Sequence, residues 1–184
     1  MFVSAIFYLL LSTFQAVTFA LATPGSATSF KKAPGSTPNS TNTLLVNTIV
    51  GKQNASSVEC WAVEPGFQIS PTTGNNILQL GSLSNASYSQ WPNTGGPIDL
   101  GFHNAPAIQW VVMLAGSANI TFPDPTTPNL TVFPGELFIA ADVAGTSTNG
   151  HSTVGDSGSI VLQMPFQDGT VVNHTVVDDR GPCN

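Results

Sequence analysis

The sequence predicts an all-β protein, and three observations predict it. Short runs rich in Val, Ile, Thr and aromatic residues recur along the chain, apolar or alternating in character. Pro65-Gly66, Gly74-Asn75, Gly95-Gly96-Pro97, Pro123-Asp124-Pro125, Pro134-Gly135 and Asp168-Gly169 separate them with turn-forming residues. No stretch of a dozen residues carries a helical period with caps. Many short strands at regular spacing point to a sandwich or barrel.

Taken in order, the chain of 184 residues opens with a secretory signal peptide, residues 1–22. Phe2 to Leu11 is its apolar core, and Ala20-Leu21-Ala22 gives the small-x-small cleavage pattern. The run is too short and too interrupted for a membrane anchor. Residues 23–43 are rich in Ser, Thr, Pro and Gly, and read as a disordered linker. Lys31-Lys32 within it is either a pair of solvated charges or a dibasic processing site.

Residues 44–184 form the predicted domain, long enough to bury a core. Its strands are expected at Leu44–Val50, Ser57–Val63, Ile77–Leu80, Ile108–Leu114, Ala118–Phe122, Leu130–Phe133, Leu137–Ala141, Ile160–Met164 and Thr170–Val177.

Charged residues make up only 8% of the chain, so Ser, Thr and Asn must supply surface polarity. Net charge is −6, and the only basic residues are Lys31, Lys32, Lys52 and Arg180. Binding to nucleic acid or to an anionic membrane needs cationic clusters, and there is none. The Asn-x-Ser/Thr pattern at Asn39, Asn54, Asn85, Asn119, Asn129 and Asn173 predicts glycosylation of a secreted, extracellular protein. Two cysteines, Cys60 and Cys183, are expected to form one disulfide in an oxidising compartment. It would close a loop of about 120 residues, worth roughly 4–5 kcal/mol in the chain-entropy model. A thiolate metal site or nucleophile is the competing use of the pair.

Two stretches carry the candidate chemistry. One runs from Gly101-Phe102-His103-Asn104-Ala105 through Gln109-Trp110-Val111-Val112-Met113 to Gly116. The other is Pro134-Gly135, the apolar Leu137 to Ala141, Asp142 and then Gly150-His151. They resemble the paired motifs of the cupin family. Cupins typically carry His-x-His, a later Glu and an apolar strand ending in Gly, then Pro-Gly, a second strand and a last His. His103 matches the first His, Ala105 stands at the second, Gln109 stands where the Glu would be, and His151 matches the last. More narrowly, the chain is similar to small secreted cupin-like proteins of filamentous fungi, over about residues 58 to 177.

The resemblance implies a single cupin-like β-barrel or jelly roll with a pocket for a small organic molecule. It implies one divalent transition metal, Mn, Fe, Cu, Ni or Zn, on His103, Gln109 and His151. Met113 and Trp110 would shape or support the pocket. Alternation places Gln109, Val111 and Met113 on one strand face, so a ligand at Gln109 would point toward an apolar interior. An amide oxygen is a weaker ligand than a carboxylate, and Asp142 or Glu136 could compensate. An enzyme of this kind would be a metal-dependent oxidoreductase or isomerase. The rival is a non-enzymatic binding or effector-like protein with a vestigial site. Cupins often pair through strand edges, so the resemblance also implies a homodimer, although no residue specifies one.

Three further features have bland and sharp readings. His174, inside the sequon Asn173-His174-Thr175, is expected to face outward. Gly155-Asp156-Ser157-Gly158-Ser159 resembles the nucleophile segment of trypsin-like proteases, but it is also a common turn composition. Trp61, Trp91 and Trp110 could form a glycan-stacking face or lie in the core, with Trp91 the most loop-like.

Overall fold

Thirteen strands and one short turn of 3-10 helix make up the computed structural model, which describes residues 42–184. The expected signal peptide, the expected linker up to residue 41, Lys31-Lys32 and the Asn39 sequon lie outside the described residues. The all-β expectation holds.

The strands are β1 (Leu44–Lys52), β2 (Ala55–Val63), β3 (Gln68–Ile69), β4 (Asn76–Ile77), β5 (Ser87–Gln90), β6 (Ile98–His103) and β7 (Gln109–Ala115). After them come β8 (Ala118–Thr121), β9 (Leu130–Val132), β10 (Leu137–Ala140), β11 (His151–Gly155), β12 (Ile160–Pro165) and β13 (His174–Asp178). No helix among the described residues is long and apolar enough to cross a membrane.

Hydrogen bonding sorts these strands into a seven-stranded sheet, β13-β2-β1-β10-β7-β12-β5, a four-stranded sheet, β6-β11-β8-β9, and a two-stranded ribbon, β3-β4. The ladders do not close into a barrel; open edges remain on both larger sheets. In the seven-stranded sheet, β1 and β10 run parallel while its other pairs run antiparallel.

Each face of the large sheet has its own apolar cluster. Ile49, Val58, Val111, Met113, Phe138, Ala140 and Val161 meet Ala118, Ile120, Leu130 and Val132 of the small sheet. This is the core between the sheets, and it exists because alternate residues of each strand point the same way. On the opposite face Val46, Val50, Trp61, Val63, Trp110, Ile139 and Phe166 pack under Leu78, Leu80, Leu83, Val171 and Val172. Being covered twice explains why β1, β2, β7 and β10 read as apolar runs rather than clean alternations.

Cys60 and Cys183 form the expected disulfide, tying β2 to the C-terminal tail across 123 positions. The Cys183 N–H also donates to Asn47 Oδ1 at 2.7 Å. Glu59 is 1% exposed on the second apolar face. Its carboxylate accepts the Trp61 indole N–H at 2.7 Å and pairs with the Lys52 ammonium, so the buried charge has partners.

The structure departs from the sequence reading in several elements. Of the run Ile77–Leu80, only Ile77 is in a strand; Leu78 and Leu80 instead cap the second apolar cluster. The last strand begins at His174 rather than Thr170, where its partner β2 ends at Val63, and Gln167–Gly169 forms a 3-10 turn before it. Strands β5, β6 and β11, none of which the apolar pattern identifies, are present, and β6 and β11 carry two of the three histidines.

Candidate functional site

A cavity of about 200 Å³ lies between the two larger sheets. Three of its lining residues are His103, Gln109 and His151, so the structure brings together all three residues expected as ligands.

The local architecture explains how. His103 ends β6 and His151 begins β11, and the two are directly opposed in the antiparallel ladder. Gly150 allows this approach. Its φ is +70°, and a Cβ built on it would meet the His103 carbonyl oxygen at 1.9 Å. Only glycine fits there. The Asn104 amide donates to the carbonyls of Asp142 and Ser147 at 2.9 and 3.2 Å, and the Gly150 N–H donates to Ser147 Oγ at 2.9 Å. The loop between β10 and β11 is thereby fastened to the segment that follows β6.

The imidazoles are fixed by their outer nitrogens. His103 Nδ1 lies 2.9 Å from the Gly101 carbonyl oxygen. A carbonyl only accepts, so the proton sits on Nδ1 and the lone pair on Nε2. His151 Nδ1 lies 2.8 Å from Asp142 Oδ2, which also accepts the Ser56 hydroxyl at 2.6 Å. That contact likewise puts a proton on Nδ1. Both rings line the cavity, with centroids 4.7 Å apart and planes inclined at 55°.

Two imidazoles that share one metal at about 2.0–2.1 Å, at an angle of about 90–110°, have centroids roughly 4.5–5.2 Å apart. The observed pair fits. A histidine whose other nitrogen is held by a carboxylate or carbonyl is the usual arrangement of a metal ligand. Asp142 adds a second indication. It is fully buried, and its Oδ1 has no partner among the described residues. A buried carboxylate gains from a nearby positive charge, which a cation on the far side of His151 or a proton on that imidazole would supply.

Gln109, 3% exposed, opens β7 and is followed along the cavity wall by Val111 and Met113, as strand alternation requires. Met113 therefore lines the pocket. Trp110 does not: it faces the second apolar cluster, donates its indole N–H to the Leu80 carbonyl at 2.8 Å and packs against Phe166. One residue of phase puts it on the opposite side of the sheet. It supports the cavity wall only from behind.

Ala105 is buried and lines the cavity, a methyl group where the resemblance expects a second histidine. Asp142 and Glu136 do not line it. Asp142 serves as the partner of His151, and Glu136 Oε2 accepts the Phe133 N–H at 2.9 Å within the turn before β10.

The sequence does not single out Thr153 or Gln163 for the cavity, although both line it. Trp91 is there too, held against Gly155, where a Cβ would come within 2.4 Å of the indole ring. Among the lining residues there is no Asp, Glu, Lys or Arg.

The other candidates fall outside the site. His174 does not simply face outward: its ring stacks on Trp61 at 3.6 Å, and its Nδ1 contacts the Val172 carbonyl at 2.9 Å. The protease-like segment is a turn. Ser157 Oγ accepts the N–H groups of Thr94 and Gly95, while Asp156 accepts the N–H and hydroxyl of Ser117. Of the sequons, Asn54, Asn85, Asn129 and Asn173 are exposed, and Asn119 is half-buried with its Oδ1 accepting the Thr131 hydroxyl.

In comparisons with known proteins, no family model, no curated protein and no solved structure matches the chain.

Proposed function

We propose that the protein is a secreted, glycosylated, cupin-like pocket protein that holds one divalent transition metal on His103, His151 and Gln109 beside a small-molecule cavity. The observation that carries this reading is the pair of cross-strand imidazoles, each with Nδ1 engaged and Nε2 left for the cavity. The face-to-face arrangement of two sheets with the cavity between them supports a jelly-roll reading. The disulfide and the exposed sequons support a secretory route.

Bound, the metal would supply Lewis-acid or redox chemistry of the kind an isomerase or oxidoreductase uses. The chain's own residues would do the rest. Asp142 fixes the tautomer and orientation of His151, and the Gly101 carbonyl does the same for His103. The Gln109 amide offers a neutral oxygen. Val111, Met113 and Phe138 exclude water and leave room for an apolar body.

Titration of chelator-stripped protein with Mn, Fe, Cu, Ni and Zn ions tests the proposal. One ion per chain is expected, with binding lost in His103→Ala and in His151→Ala. Failure of all five to bind would end the metal reading.

A second reading is favoured by Ala105, which removes a ligand from the cavity wall. Under it the protein binds a small organic molecule or glycan without catalysis. Ligand binding undisturbed by the two histidine variants would distinguish it.

A further inference from the structure

The charge balance of the cavity specifies what else must enter it. This inference rests on the metal reading above. Two neutral imidazoles and a neutral amide bring no charge to a divalent cation. The nearest acid, Asp142, lies one imidazole away and contributes a single negative charge. A cation held there would keep about one unit of uncompensated positive charge between two apolar sheet faces. Uncompensated charge at such a place is costly.

An anion entering the cavity alone meets the mirror-image difficulty. No lysine or arginine lines the cavity. Of the basic residues described, Lys52 pairs with Glu59 and Arg180 lies beside Asp179. Apart from a proton on His103 or His151, only a bound cation would bring positive charge to an anion in this cavity.

We infer that the cavity takes up a divalent metal and a small organic monoanion together, each tightening the binding of the other, because Gln109 stands where a carboxylate would have completed the charge. The shape of the cavity describes the monoanion further. Its walls are mainly apolar, formed by Trp91, Val111, Met113, Phe138 and Val161. An apolar cavity of about 150 Å³ holds a benzene ring, and this one is about 200 Å³. The ligand class is therefore an oxygen acid with a single ring or an aliphatic body of similar size. Its acidic oxygen would lie at the imidazoles, and any further polar substituent would lie near Thr153 or Gln163.

Calorimetric titration of the stripped, full mature chain near neutral pH, with Zn²⁺ and with benzoate as the probe anion, tests the inference. Benzamide serves as the neutral isostere. Saturating benzoate is expected to tighten Zn²⁺ binding about tenfold or more, within the usual span of coupling energies, and Zn²⁺ must tighten benzoate by the same factor. Benzamide should produce no such gain. Gln109→Glu supplies the missing charge, so this variant should bind Zn²⁺ tightly without benzoate and lose the enhancement.

Equal Zn²⁺ affinity with and without benzoate overturns the inference and leaves the metal reading intact. Equal benzoate affinity with and without Zn²⁺ also overturns it. Absence of Zn²⁺ binding in every arm overturns the inference, and the metal reading falls with it only if Mn, Fe, Cu and Ni ions also fail to bind. If Gln109→Glu fails to fold, the benzoate and benzamide comparison on the unaltered chain still decides.

Discussion

Replacing Gly150 with alanine should damage the site more than the fold alone would suggest, and Gly145→Ala provides the internal control. Both glycines have positive φ, +70° and +90°. A Cβ in that region costs about 1–2 kcal/mol wherever it is placed. At Gly145 nothing lies within 4 Å of the added carbon, so that strain is the whole effect. At Gly150 the added carbon would sit 1.9 Å from the His103 carbonyl oxygen and 2.2 Å from its carbon. Ordinary contact begins at 3.4 Å, so β6 and β11 must separate by a large part of the shortfall. Backbone cannot rotate out of the way as a side chain can, and overpacking typically adds about 1–3 kcal/mol. Gly145→Ala should thus lose about 1–2 kcal/mol and Gly150→Ala about 2–5 kcal/mol. Urea unfolding measures both, and metal titration of the folded fraction measures the site. Equal losses of stability in the two variants, or metal binding unchanged in Gly150→Ala, would refute the claim that glycine is what lets the two histidines face each other.

Asp142→Ala strips the partner from His151 Nδ1 and from the Ser56 hydroxyl; metal affinity should fall about 10–100-fold, read by competition with a chromogenic chelator. Replacing both Cys60 and Cys183 with serine opens the closure across 123 positions and should cost about 4–5 kcal/mol in denaturant unfolding, while metal stoichiometry in the folded protein stays the same. The Asp124 carboxyl is held below the usual carboxylate range by the backbone N–H and then the hydroxyl of Thr126. A depressed carboxylate contributes stability above its unfolded pKa, and that contribution disappears as pH falls through the folded value. A carbon-detected NMR titration should find Asp124 below the ordinary carboxylate range, and Thr126→Val should move it part of the way back.

The strands of the large sheet, β5 excepted, are legible because burial on one or both faces writes itself into apolar runs. Those of the histidine pair are not. In β6, Asp99 and Gly101 interrupt the pattern, and the +64° φ of Gly101 breaks the alternation that a strand normally shows. β11 reads His-Ser-Thr-Val-Gly, a polar segment buried because β6 and β8 flank it. The two-residue period alone places Gln109, Val111 and Met113 on one wall, and they lie there. Trp110 misleads because its size suggests a pocket, while the same period places it on the other face. The role of Asp142 depends on a loop fastened by Asn104 and Ser147, and no sequence spacing expresses that.

The proposed metal site depends on the Nε2 lone pairs of His103 and His151, and nitrogen-15 NMR of the histidine rings during Zn²⁺ titration observes them directly. His103 and His151 should begin as the tautomer with the proton on Nδ1, and their Nε2 resonances should shift together at one ion per chain. His174, stacked on Trp61 outside the cavity, should stay unchanged. A proton found on Nε2 of either cavity histidine, or Zn²⁺ that shifts His174 and leaves that pair untouched, would contradict the proposed site.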